Sequence, residues 1–125
     1  MKIFCIGTTS YKHMMEEYRE DLSESRPDLE IRIPKFDDYN LDELQICKRN
    51  VGDIKWADEV HIFWDQRSIG TIFDFGAVFA LGKKIKLVFI NQKTFLNVMR
   101  WYEDPVLYRN ETSHAEVGPG SEAPF

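Results

Sequence analysis

The sequence is poor in cysteine and histidine, and it lacks a long hydrophobic run. Only two cysteines and three histidines occur among 125 residues, and the cysteines form no CxxC pair. A zinc site and a disulfide framework therefore have little support, and a reducing cytoplasm is the expected compartment. His61, inside an apolar segment, is expected to be a hydrogen-bonded core residue. The apolar stretch at the N-terminus breaks at Gly7, which is too early for a signal peptide or a membrane span.

The chain also lacks an excess of positive charge. Sixteen Lys and Arg against twenty-one Asp and Glu give a net charge of −5. A broad basic surface for a nucleic acid polymer or for a membrane is therefore not expected. Hydrophobic residues at 43% and charged residues at 30% are ordinary for a globular protein, so one compact domain is predicted.

Short apolar runs alternate with amphipathic segments along the chain. The runs predict strands at Lys2 to Ile6, Leu29 to Ile33, Glu59 to Trp64 and Ile85 to Ile90. The segments predict helices at Tyr11 to Glu24, from an Asn40 and Glu43 capping box through Ile54, at Thr71 to Leu81, and at Thr94 to Tyr102. This alternation predicts a single three-layer α/β domain, Rossmann-like or flavodoxin-like, with a mainly parallel sheet of four to five strands. The domain is expected over residues 1–108, and residues 109–125 are expected to form a tail that is flexible or held by a partner.

Three loops follow the carboxyl ends of the predicted strands, where such sheets bind ligands: 7–10, 35–40 and 65–71. In the last loop, Ser68, Gly70 and Thr71 place hydroxyls and a flexible turn at a helix N-terminus, which favours an anion such as a phosphate. Asp74 follows within that helix and is a candidate to face a sugar carbon beside the anion. The alternative is that Thr71 and Asp74 form only a capping box.

Four short motifs occur in order between Ala57 and Val88. They are Ala57-Asp58-Glu59-Val60, Ser68-x-Gly70, Asp74-x-Gly76-x-x-x-Ala80 and Gly82-Lys83. In order and spacing they resemble the nucleoside 2-deoxyribosyltransferase superfamily, which also contains the 2'-deoxynucleoside 5'-monophosphate N-glycosidases. The resemblance implies cleavage or transfer at the N-glycosidic bond of a (deoxy)nucleoside or its 5'-monophosphate by a carboxylate nucleophile, with no metal and no cofactor.

The resemblance also implies roles for individual residues. It places the nucleophile at Asp74, where the family usually carries Glu. Because Asp is the shorter side chain, its carboxylate would sit farther from the sugar, and a shift of about 1 Å in a reacting group can cost on the order of a hundredfold in rate. Ser68 stands where the transferases commonly have Asp, which favours a 5'-phosphate, and Arg67 would neutralise that phosphate. Asp53 or Asp65 would be the carboxylate partner that assists the departing base.

Further residues are implicated in binding. Asn97-x-Met99 resembles an element that enters the active site of a neighbouring subunit, which implies a homodimer or a higher homo-oligomer. Tyr11 and Phe36 lie in loops near the expected pocket and are candidates to stack on a base, with packing as the alternative. The predicted substrate-binding set is Gly7, Tyr11, Phe36, Arg67, Ser68, Gly70, Thr71, Asn97 and Met99.

Two other classes of protein stay open. One is a non-catalytic nucleotide-binding or sensor module of the same fold, in which Asp74 is only a cap. The other is a response-regulator-like domain, which has a similar sheet. It is disfavoured because Thr8-Thr9-Ser10 replaces the acidic cluster expected after its first strand.

Overall fold

A computed structural model describes residues 1–36, 40–91 and 95–113. Strands and helices alternate along them: β1 (Lys2–Ile6), α1 (Lys12–Ser25), β2 (Glu30–Arg32), α2 (Glu43–Trp56), β3 (Glu59–Trp64), α3 (Ile69–Ala80), β4 (Lys84–Ile90), α4 (Phe95–Glu103) and α5 (Pro105–Thr112). A 3-10 turn, Thr9–Tyr11, precedes α1. The chain divides into two compact units, residues 1–91 and 92–125, and the sheet belongs to the first.

The sheet is four-stranded and entirely parallel, in the order β2-β1-β3-β4. The predicted α/β class and parallel sheet are therefore confirmed, and β2 occupies an edge. Because β1 lies between β2 and β3, the chain order reverses beside β1. In parallel sheets the carboxyl ends of the strands at this point form the usual ligand site.

Helices cover both faces of the sheet, which gives three layers. On one face, Phe4, Ile6, Val60 and Ile62 of the central strands form a core cluster with Ile54 of α2 and Val78 of α3. On the other face, Cys5 and Phe63 pack with Met15 of α1. The alternation between Phe4 and Cys5 follows the pleat, since successive strand residues point to opposite faces.

The residues that cap the N-termini of α2 and α3 differ from those that the sequence predicts. The capping box of α2 is formed by Asp42 and Gln45, two residues later than the predicted pair: the Asp42 carboxylate accepts from the Gln45 N–H at 2.8 Å, and the Asp42 N–H donates to the Gln45 side chain at 3.0 Å. The N-cap of α3 is Ser68 rather than Thr71. At the other end Gly82, with φ of 64°, ends α3 as predicted, in a conformation that favours glycine.

The second unit contains a helix that the sequence analysis missed. Asp104-Pro105 follows the last predicted helix, and such a pair is typical of a helix end. The Asp104 carboxylate instead accepts from the N–H groups of Val106 and Leu107, both at 3.1 Å, and so begins α5. Proline is well tolerated in the first helical turn because its missing N–H is not needed there. Position 108, the predicted end of the domain, lies inside α5, and residues 114–125 of the predicted tail lie outside the described residues.

Gly7, at the end of β1, makes a close contact that leaves no room for a side chain. A Cβ atom at this position would lie 2.3 Å from Met15 Cε and 3.0 Å from both Cβ and the carbonyl oxygen of Phe63. A methyl group would therefore force the end of the Met15 side chain to move and Phe63 to shift slightly. Gly7 thus joins the first loop tightly to the core.

His61 is buried in β3, as its apolar surroundings predicted. Its Nδ1 lies 2.6 Å from the Tyr18 hydroxyl and its Nε2 lies 3.0 Å from a Glu59 carboxylate oxygen. Burial lowers the pKa of His61 despite the nearby Glu59 carboxylate. Within the described ranges, no helix has both the length and the apolar character needed to cross a bilayer.

Candidate active site

Asp74 and Asn50 meet between α2 and α3, on the helix faces that point into the protein. Asn50 precedes Ile54 by one turn, and Asp74 precedes Val78 by one turn, so both polar residues lie one turn beyond the apolar cluster. The Asn50 amide nitrogen donates to Asp74 Oδ2 at 3.4 Å. Both residues are buried, with 8% of Asn50 and 6% of Asp74 exposed.

Asp74 does not cap its own helix. It is the sixth residue of α3, and the N-terminal N–H of Thr71 is bound instead by the Ser68 hydroxyl oxygen at 3.4 Å. The capping-box alternative predicted from Thr71 and Asp74 is therefore not what the structure has. The Asp74 carboxylate is directed toward the α2 side chain rather than toward its own main chain.

Burial gives Asp74 an altered acidity. It raises the pKa of the carboxyl from 3.8 to about 6, and the hydrogen bond from Asn50 opposes part of this rise. At neutral pH the side chain is therefore mostly ionised, yet it lacks much of the solvation that makes an exposed carboxylate unreactive. Such a group suits a nucleophile or a general base.

The carbonyl oxygen of the Asn50 side chain is buried and has no hydrogen-bond partner among the described residues. A buried acceptor without a partner carries a cost of about 1 to 3 kcal/mol. This oxygen belongs to the same side-chain amide whose nitrogen donates to Asp74. A hydroxyl or N–H of a bound ligand would satisfy it, so Asn50 has one polar group for the carboxylate and one for a ligand.

The loop before α3 is organised by Asp65. One oxygen of its carboxylate accepts from the backbone N–H of Arg67 at 3.0 Å and of Ser68 at 2.8 Å. With Thr71 capped by Ser68, the first-turn amides of Ile69 and Gly70 lie between the capped positions, and both residues are exposed. A Cβ at Gly70 would meet only Ser68 Oγ at 4.0 Å, so a ligand can approach this backbone closely.

Tyr11 lies at the same edge of the sheet. Its hydroxyl is hydrogen-bonded to the Asn91 side chain, and burial and the Asp65 carboxylate raise its pKa, while Arg67 opposes the rise. Its ring also packs edge-on against Phe89, with centroids 5.2 Å apart. Tyr11, Asp65 and Arg67, which the sequence analysis proposed separately, are therefore neighbours at the carboxyl ends of the strands.

Asp53 lies elsewhere. Its carboxylate pairs with the Arg32 guanidinium at 2.9 Å and lines a cavity of about 460 Å³ beside β2. Asp74 does not line that cavity. A side chain that contacts Asp74 is Asn50, one helical turn before Asp53. The role of Asp53 or Asp65 as the carboxylate partner stays a prediction.

Similarity to a known protein was found by comparing structures and not by comparing sequences. No family model and no curated protein matches the chain. Among solved structures, the chain is similar to the CMP N-glycosidase BcmB of Clostridium botulinum, with 22% identity, coverage of 82% of this chain and 81% of that one, and a TM-score of 0.52. The two proteins share a fold.

The remaining predicted site residues, Phe36, Asn97 and Met99, lie in different parts of the chain. Phe36 packs against the cluster of Cys5, Met15 and Phe63, which is the packing alternative. Asn97 and Met99 lie on α4 in the second unit, where the Asn97 side-chain oxygen accepts from Arg100 at 3.0 Å. Their role in a neighbouring subunit stays a prediction.

Sequence reasoning missed Asn50 altogether. A signal for it existed, because Asn50 is three residues after Cys47 and four before Ile54, and so lies on the apolar stripe of α2. A polar residue on such a stripe needs a buried partner. In the structure that partner is Asp74.

Proposed function

We propose that this protein cleaves or transfers at the N-glycosidic bond of a (deoxy)nucleoside or its 5'-monophosphate, with Asp74 as the nucleophile. The observation that carries the proposal is the state of Asp74, which is buried, has a raised pKa and contacts Asn50 rather than its own main chain. The fold shared with a CMP N-glycosidase and the sequence resemblance to the nucleoside 2-deoxyribosyltransferase superfamily support the same reaction class.

The proposed reaction has two displacements. In the first, an Asp74 oxygen forms a bond to C1′ of the sugar while the bond from C1′ to the base breaks, and the electron pair leaves with the base, which takes up a proton. In the second, water or another base attacks C1′ and releases Asp74 as a carboxylate. Asn50 would hold Asp74 through its N–H group and accept a sugar hydroxyl on its unpartnered oxygen.

The loop before α3 supports a 5'-monophosphate as substrate. Ser68 is neutral, Gly70 is open to close approach, and the first turn of α3 directs N–H groups outward. Arg67 would offset the phosphate charge. Asp65, at the same edge of the sheet, is the carboxylate we propose to assist proton transfer to the base, in place of Asp53.

The direct test is to incubate the purified protein with CMP, with each deoxynucleoside 5'-monophosphate and with the matching nucleosides, and to measure the free base by chromatography. We expect release from at least one monophosphate, and loss of that release in Asp74→Asn, which keeps the size of the side chain. Asp28→Asn, on the exposed surface, is the matched control and is expected to retain activity.

Two outcomes would contradict the enzymatic proposal. Release that persists in Asp74→Asn would remove Asp74 from the reaction. Binding of a monophosphate without release of base, under every condition that supports binding, would favour the sensor module. Asp74→Glu sharpens this second case, because restoring the usual family side chain is then expected to restore turnover.

We also propose that the protein forms a homodimer through the outer face of α3. This helix exposes Ile72, Phe73 and Phe75 as well as Ile69, at 82%, and Phe79, at 79%. The three phenylalanines alone expose on the order of 300 Å² of apolar surface. With the isoleucines added, the patch reaches on the order of 500 Å², at the upper end of what monomers expose and below the roughly 800 Å² that each partner buries in a stable complex.

Light scattering coupled to size-exclusion chromatography tests the dimer. A Phe79→Asp variant is expected to elute as a monomer, because association would bury a carboxylate in the apolar patch. Leu44→Asp changes an equally apolar but separate residue on α2, 63% exposed, and is expected to leave the dimer intact. A wild-type protein that is monomeric at all concentrations would refute this interface.

A further inference from the structure

The cavity that Asp53 lines, beside the edge strand β2, lies away from Asp74. Its volume is about 460 Å³, within the range of small-molecule sites. The described residues that line it all belong to the first unit: Arg19, Ile31, Arg32, Ile33, Pro34, Lys35, Arg49 and Asp53. Its position makes it separate from the proposed sugar site, whose residues Asn50, Ser68 and Asp74 do not line it.

The charge of this cavity is opposite to that of the whole chain. Among the described residues that line it, four side chains are cationic and one is a carboxylate, a sum of +3 in a protein whose net charge is −5. Four of the sixteen basic residues are therefore collected around one small volume. Such a concentration of positive charge attracts an anion and raises its local concentration.

Two of the cations are already oriented. The Arg32 guanidinium lies 3.9 Å from the centre of the Trp56 ring and 2.9 Å from the Asp53 carboxylate. An Arg49 terminal nitrogen donates to the Lys35 carbonyl oxygen at 3.1 Å. Because these side chains are held before any ligand binds, less conformational entropy is lost on binding.

The rest of the lining is apolar. Ile31, Ile33 and Pro34 supply it, and the volume is larger than a bare phosphate ion needs. A ligand that fits both parts has an anionic head for the arginines and an apolar or ring-shaped body for the strand residues. Arginine side chains bind phosphate oxygens in pairs of parallel hydrogen bonds, so a phosphate head suits them well.

We propose that this cavity is a binding site for a small phosphate-bearing molecule with an apolar body, distinct from the site of Asp74. The proposal does not depend on the glycosidic reaction. The two sites do share α2, since Arg49 lines the cavity while the next residue, Asn50, contacts Asp74. A ligand held by Arg49 would thus bind directly behind the residue that positions the proposed nucleophile.

Phenyl phosphate is a suitable probe, with inorganic phosphate and phenol as its two halves. Two-dimensional NMR of the full chain is expected to show shifts from phenyl phosphate at residues 31–35, Arg19 and Arg49. Phenyl phosphate should bind more tightly than inorganic phosphate, and phenol should bind hardly at all. The double variant Arg19→Gln, Lys35→Gln is expected to weaken binding about tenfold, because two charged hydrogen-bond donors are removed.

The matched control is Lys48→Gln, Lys84→Gln, which removes the same total charge from exposed residues outside the cavity. It should bind phenyl phosphate within about twofold of wild type. Equal weakening in both double variants would reduce the effect to net charge and overturn the proposal. Shifts confined to residues 68–71, or no shifts at millimolar probe, would overturn it as well.

Discussion

Asp74 and Asp53 are the same residue type on neighbouring helices, yet their surroundings differ in every respect that matters for chemistry. Asp74 is buried beside a neutral amide, and burial raises its pKa to about 6. Asp53 is part of an ion pair with Arg32 at the rim of a basic cavity. A carboxylate paired with a guanidinium is stabilised where it is, whereas one that is buried without a counter-charge remains available to a substrate.

The largest difference that we expect between these two regions is in the rate of base release, and a substitution of Asn50 tests it. An Asn50→Leu substitution removes the donor that holds Asp74 while keeping similar volume, and we expect base release to fall about a hundredfold, as for other small displacements of a reacting group. Asp53→Asn is the matched variant and should change the rate by less than about threefold. Steady-state rates on the best monophosphate measure both.

Asn50→Asp tests whether this effect is electrostatic. It places a second carboxyl beside Asp74. Repulsion between the two carboxylates is expected to raise the pKa at which the pair loses its second proton, and so to move the pH–rate profile toward higher pH. A purely structural role for Asn50 would lower the rate without moving the profile. An unchanged profile in Asn50→Asp would therefore contradict an electrostatic coupling between residue 50 and Asp74.

A smaller effect concerns stability at Asp74. Because the folded pKa of about 6 lies above the ordinary 3.8, the folded state holds more protons between these values, and stability falls as pH rises through that window. Asp74→Asn removes this loss and should stabilise the protein near neutral pH by on the order of 2 kcal/mol, with little gain below about pH 4. Urea unfolding across this pH range measures it, and a gain that is the same at every pH would contradict the assignment.

The smallest effect is expected at Asp53. Its partner Arg32 is half exposed, so Asp53→Asn should cost no more than about 1 kcal/mol, and added salt should diminish the difference from wild type. Arg32 would retain its contact with the Trp56 ring. A loss of stability several times larger would show that the ion pair between Asp53 and Arg32 is a major contribution to the fold.

The fold was largely predictable because its signals are local. Apolar strands and amphipathic helices differ in period, and Gly82 ends α3 where the pattern predicts it. The errors occurred at helix starts, where several polar residues offer similar caps: Asp42 and Gln45 form the box expected of Asn40 and Glu43. The same ambiguity hid α5, since Asp-Pro can end one helix or begin another.

The candidate site was less predictable because it depends on contacts between elements. Asp74 and the loop from Asp65 to Gly70 were found from their place after β3. Asn50 and Asp53 are both polar residues within α2, and only their angle around the helix, about 60° apart, separates the buried one from the paired one. Which of them meets Asp74 depends on how α2 packs against α3, which no local pattern specifies.

Gly7 has a practical consequence for anyone who varies this protein. Since even a methyl group there would meet Met15 Cε and come within 3.0 Å of the Phe63 carbonyl oxygen, a saturation library should favour glycine strongly at this position. Gly70 and Gly76, around which space is open, should accept many replacements in the same screen. The loop after β1 is therefore a poor place to insert a label or graft a peptide, whereas the start of α3 has room for new side chains.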